Sequence, residues 1–118
     1  MDDDQSVAQT IARILKLEGY NVQTAANAQM GLFEAELNHP DAIIVDLRMP
    51  IVDGLEFLRR LRSLNEQRAT PVAIVTGDYF LDDAIASELA ALGARVKYKP
   101  LFTEDLISLA RNLLEVIN

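Results

Sequence analysis

Three strand-like segments in this sequence each end on a residue that can do chemistry. Asp46 closes "AIIVD", Thr76 closes "VAIVT" and Lys99 closes "RVKYK". An acidic run, Asp2, Asp3 and Asp4, opens the chain just ahead of a helical pattern. A carboxylate, a hydroxyl and an ammonium brought to one place would suit phosphoryl transfer, which asks mainly for positioning and charge neutralisation. If the acidic run joined them, the carboxylates would repel by about 4 kcal/mol per pair at about 4 Å and an effective dielectric near 20. A hard cation such as Mg²⁺ offsets that repulsion, and a lysine adds a point charge from another side. The acidic run has two plainer readings, a solvated tail or caps for the following helix, where negative charge is favourable in any case.

The elements that would position these residues follow from periodicity. Val7, Ile11, Ile14 and Leu15 predict an amphipathic helix from Val7 to Leu17, ended by Gly19. A short strand is expected over Asn21 to Ala25, then a helix capped by Asn27 and running to about Asn38. "AIIVD" from Ala42 reads as a strand buried on both faces. Asp53 followed by Glu56 resembles a capping box for a helix whose inner face is Leu55, Leu58 and Leu61. "VAIVT" is a second buried strand. Asp82 to Leu92 is a helix closed by Gly93, Arg95 to Lys99 a shorter edge strand with Arg95 and Lys97 on its solvated face, and Thr103 a cap for a last helix with Leu106, Ala110, Leu113 and Ile117 on one stripe. Strict alternation with short loops implies parallel strands, right-handed crossovers and helices on both faces, with the ligand site beyond the strands' carboxyl ends. Asp46, Thr76 and Lys99 occupy those ends.

These residues, with "DDD" before the first helix, "IIVDLRMPIVDG", "VTG" and "YKP" in order, resemble the receiver domain of two-component response regulators over nearly the whole chain. The resemblance implies a flavodoxin-like, doubly wound parallel sheet of strand order 2-1-3-4-5 and a signalling switch rather than an enzyme, catalysing only its own phosphorylation and dephosphorylation. It implies that Asp46 accepts a phosphoryl group from a histidine kinase or phosphotransfer protein. Mg²⁺ would be held by Asp2, Asp3, Asp46 and the backbone carbonyl of Arg48, while Lys99 would bind the phosphoryl group, Thr76 would hydrogen-bond it, and the Lys99–Pro100 bond would be cis. Output to a downstream protein is expected on the helix from Asp82, the strand to Lys99 and the last helix.

Three departures from the family pattern stand out. Val96 occupies the place where many members carry an aromatic, and the aromatic here is Tyr98. Leu101-Phe102 displaces the common Lys-Pro-Phe by one. An apolar strand should precede the acidic pair, yet only Met1 does. The chain is therefore expected to be one receiver domain over residues 1–118, truncated at its first strand and without an output domain, compensating by direct sheet closure or by strand exchange in a dimer.

Composition sets the outer bounds. At 118 residues and half hydrophobic, the chain can bury one core. It has no cysteine, which excludes disulfides, zinc thiolate sites and a thiol nucleophile. The single histidine, His39, is expected in an exposed loop. A net charge of −7 argues against nucleic acid, with Arg59, Arg60, Arg62 and Arg68 read as a solvated helix face. No apolar run reaches the roughly 20 residues of a membrane span and no signal peptide opens the chain, so the cytoplasm is the expected location. Two rivals to the switch are an unphosphorylated docking module of the same fold and a Mg²⁺-dependent phosphatase with an aspartyl nucleophile. The second needs an acid two residues after Asp46, where Arg48 stands.

Overall fold

The computed structural model describes residues 5–25, 27–47, 51–64, 70–77 and 82–115. In chain order these form α1 (Gln5–Leu17), α2 (Ala28–Asn38), β1 (Ile43–Leu47), α3 (Ile51–Ser63), β2 (Val72–Thr76), α4 (Asp83–Ala91), β3 (Ala94–Tyr98) and α5 (Thr103–Glu115). The strands are parallel in the order β1-β2-β3. β2 lies in the middle, and all five of its residues are buried, as an uninterrupted apolar run requires when helices cover both faces.

Side-chain alternation along the strands divides the core. Val45, Val72 and Ile74 point to one face and meet Ala35 of α2, Leu55, Leu58 and Leu61 of α3, and Leu89 of α4. Ala73 and Val75 point to the other face, against Leu109 and Leu113 of α5. Leu15 of α1 extends that layer by meeting Leu106 and Ala110. The expected stripe of α5 is thus buried at Leu106, Ala110 and Leu113, while Ile117 lies outside the described residues.

Local chemistry sets several boundaries. Asn27 caps α2 by accepting from Met30 N at 2.9 Å, and His39 ends that helix in the left-handed region, exposed as expected. Asp82 caps α4 by accepting from Ile85 N at 2.8 Å. The turn after α4 passes through Gly93 at φ +79°, a conformation that costs a residue without Cβ little.

Four expectations need correction. α3 begins at Ile51, three residues earlier than a cap at Asp53 would place it. Asp53 is therefore inside the first turn, where its charge meets the helix dipole instead of capping, and Glu56 pairs with Arg59 and Arg60. Thr103 is the first helical residue of α5, not its cap. The cap position falls at Phe102, whose N–H donates to Asp105 Oδ2 at 3.1 Å while its carbonyl accepts from Leu106 N. Arg59 and Arg60 are solvated, but Arg62 is half-buried and donates from Nε to the Leu92 carbonyl at 2.8 Å. Arg68 lies outside the described residues.

The fourth correction is the largest. Residues 21–25 form no strand, although Ala25 is buried and Val22 packs on the α1–α5 layer. A strand exists only through its ladder, and among the described residues β1 has a single ladder partner, β2. Between β1 and residues 21–25 lies a cavity of about 430 Å³, bounded by Ile11, Leu15, Val22, Ile44, Phe57 and Leu113 and reaching Asp46. The segment and the sheet are held apart by a gap of that size.

Candidate functional site

In-register parallel pairing brings the reactive strand ends to one edge. Asp46 stands opposite Val75, Leu47 opposite Thr76, and Thr76 opposite Tyr98. One step on, Lys99 N donates to the Thr76 carbonyl at 2.9 Å, which fixes the lysine relative to β2. Lys99 Nζ then reaches across β2 to within 2.7 Å of Asp46 Oδ1. The Lys99–Pro100 bond is cis.

Asp46 is 6% exposed, whereas about a third of the Lys99 side chain meets solvent. A carboxylate this buried requires a counter-charge, and Lys99 supplies it. The contact is an ion pair without hydrogen-bond alignment, so Oδ1 has no hydrogen-bond partner among the described residues. A buried carboxylate oxygen with unused acceptor capacity is the kind of donor a hard divalent cation takes. Asp46 therefore fits as one ligand of Mg²⁺. The other expected ligands, Asp2, Asp3 and the Arg48 carbonyl, lie outside the described residues. Among the described residues no group of three or more His, Cys, Asp or Glu could hold a metal ion.

Thr76 is fully buried at the end of β2 and points to the α2–α4 face, since strand residues two apart share a face with Ile74. Beyond it, a Cβ built on Gly77 would meet nothing within 4 Å. On β3, Val96 packs half-buried against the α3–α4 core, and Tyr98, the cross-strand neighbour of Thr76, is 41% exposed. The aromatic beside Thr76 is thus Tyr98.

Two arginines one turn apart on α3 brace α4, an arrangement the spacing of "RRLR" alone did not reveal. Arg59 pairs with Glu88 through Nε and, at 2.7 Å, through Nη2. This fork holds the Glu88 carboxyl below its usual range and the Arg59 guanidinium above its own. Arg62, bonded to the Leu92 carbonyl, has its proton affinity lowered by burial. Periodicity can place these arginines on α3, but a contact to another helix leaves no trace in local sequence.

The fold is an α/β domain with a parallel sheet, and its carboxyl edge carries a buried aspartate paired with a lysine. Residues 1–111 match the response regulator receiver domain family, and the chain belongs to that family. It is 32% identical over 114 residues to the transcriptional regulatory protein PrrA of Mycobacterium bovis, covering 97% of this chain and 48% of that protein. It is 33% identical over 117 residues to the response regulator MprA of a Mycobacterium species, with the same coverages. The chain spans about half the length of these curated relatives. Among solved structures it is similar to the chemotaxis protein CheY4 of Vibrio cholerae, with a TM-score of 0.82, 31% identity, and 96% of this chain and 93% of that one covered. A CheY-like receiver domain protein from Methanospirillum hungatei superposes with a TM-score of 0.83 at 27% identity, covering 98% and 90%. No described helix is long and apolar enough to cross a membrane.

Proposed function

We propose that this receiver domain is a phosphorylation-driven switch in which Asp46 takes a phosphoryl group from a histidine on a partner kinase or phosphotransfer protein. The observation that carries this reading is the buried Asp46 carboxylate held 2.7 Å from Lys99, with Oδ1 lacking a hydrogen-bond partner among the described residues. An Asp46 oxygen attacks phosphorus, the bond from phosphorus to the donor imidazole nitrogen breaks, and an acyl phosphate forms as the imidazole takes up a proton. Lys99 follows the new charge on the phosphoryl oxygens, and the Thr76 hydroxyl donates to one of them. Asp46, Asp2, Asp3 and the Arg48 carbonyl would hold Mg²⁺, which when bound neutralises charge on the transferring group. The hydroxyl's new bond exists only in the phosphorylated state, so it can bias the α4–β3–α5 face on which a downstream protein would read the switch. A cytoplasmic location accords with a kinase donor.

Intact-mass measurement after incubation with Mg²⁺ and a small acyl phosphate tests this without the kinase. One phosphoryl group should add to the wild-type chain, none after chelation and none to Asp46→Asn. Labelling of Asp46→Asn to the wild-type extent would overturn the assignment, and no labelling of either would favour the unphosphorylated docking module.

A further inference from the structure

We infer that the outer face of α2 is a docking surface for a basic amphipathic helix of a partner protein. α2 is apolar on two opposite faces. Its inner face, Ala28, Leu32 and Ala35, is committed to the core. Met30, Phe33 and Leu37 lie nearly opposite, inside a sector of about 60° at 100° per residue, and are 49%, 63% and 62% exposed. The spacing i, i+3, i+7 is the one a partner helix reads when it lays an apolar stripe into a groove or along a face. Large side chains this exposed cost nothing singly, but three on one stripe make a contiguous patch.

Charge selects the occupant. Glu34 and Glu36 border the stripe on either side, and Glu34 Oε2 accepts from the Asn38 side-chain amide at 2.5 Å. No lysine or arginine occurs between Lys16 and Arg48, a stretch whose solvent-facing acids are Glu18, Glu34, Glu36 and Asp41. A second copy docking by two-fold symmetry would set these glutamates against themselves. An anionic lipid surface would be repelled likewise. A helix with leucine-like anchors flanked by lysine or arginine meets both the apolar stripe and its acidic borders. The surface lies on a different helix from those of the proposed output face.

The test uses the full chain and two synthetic helical peptides of about 18 residues, long enough to hold helical structure on binding. Both carry the same leucine stripe, one flanked by lysine and arginine and the other by glutamate. Amide chemical shifts of the isotope-labelled protein should move at residues 30, 33, 34, 36 and 37 with the basic peptide only. Phe33→Ser should weaken that binding by about tenfold or more, while Phe102→Ser, at another exposed aromatic, should leave it unchanged, with both variants melting like the wild type. The inference fails if the basic peptide does not bind, if its shifts map elsewhere, or if Phe33→Ser binds equally well. It fails also if the acidic peptide binds as tightly, or if Phe33 instead controls self-association or binding to phosphatidylglycerol vesicles.

Discussion

Lys99 Nζ and Asp46 Oδ1 stand 2.7 Å apart although their strands are not neighbours, because Lys99, tied by its N–H to the carbonyl of Thr76, lies just past the end of β2 and reaches over it. The two partners are unequal. Asp46 is buried, whereas Lys99 can swing to solvent, so losing the lysine strands a charge and losing the aspartate does not. Lys99→Met should therefore destabilise the protein by about 1–3 kcal/mol, the buried-pair figure discounted for the lysine's solvent contact. Asp46→Asn should cost less, and most of the lysine effect should vanish in the double variant. Urea titration of the four proteins checks this, and equal losses from both single changes would mean the pair is not what neutralises Asp46.

Thr76 and Tyr98 are register partners on adjacent strands. Thr76→Val keeps the buried volume close to that of threonine but removes the hydroxyl. It should still accept phosphate on Asp46 while losing the change in amide exchange over α4 and β3 that phosphorylation causes in the wild type. The Tyr98 ring signals in NMR should shift on phosphorylation of the wild type and stay put in the variant. With Val96 in place of the family's usual aromatic, the coupling is expected at the lower part of the usual range of about 1–3 kcal/mol.

The Arg59–Glu88 fork gives a pH dependence whose sign can be worked out. Glu88 has its carboxyl held below the ordinary 4.5 by Arg59. In the folded state it gives up its proton more readily than in the unfolded chain, so its contribution is present above pH 4.5 and is lost as pH falls through the depressed folded value. Glu88→Gln should remove that acid-side slope, and added salt should shrink it, because both groups face solvent. Melting curves of wild type and variant from neutral pH to pH 3 should converge at the acid end, and a constant offset across the range would show that the pair contributes nothing.

The convergence of Asp46, Thr76 and Lys99 was legible because each closes a strand-like segment, and parallel strands carry their ends to one edge. What escaped was non-local. Arg62 looked like one more solvated arginine until α4 placed the Leu92 carbonyl beside it. Asn21 to Ala25 has strand-like content, but a strand is a relation between two segments, and composition cannot report whether the partner is there. Met30, Phe33 and Leu37 likewise read as ordinary helix content, since only the packing of Ala28, Leu32 and Ala35 reveals which face is left over.

The gap beside β1 carries the last prediction. Its walls are mostly apolar with Gln23, Thr24, Glu34 and Asp46 among them, it measures about 430 Å³, and it runs from the α1–α5 layer to Asp46. A strand slot between β1 and residues 21–25 would use the backbone groups that a parallel pair leaves on the edge away from β2. An apolar segment of about five residues joined ahead of Met1 is long enough to lie there as one strand. It would convert residues 21–25 into a laddered strand and remove the void whose lining lacks packing partners. The extended chain should melt at least about 5 °C higher, a shift that about 1 kcal/mol produces in a domain of this size. Amides 22–25 should gain exchange protection, and any strand-exchanged dimer of the shorter chain should give way to monomer. If the two chains match in melting temperature, exchange at 22–25 and oligomeric state, the gap is not a strand site and residues 21–25 are irregular for a reason of their own.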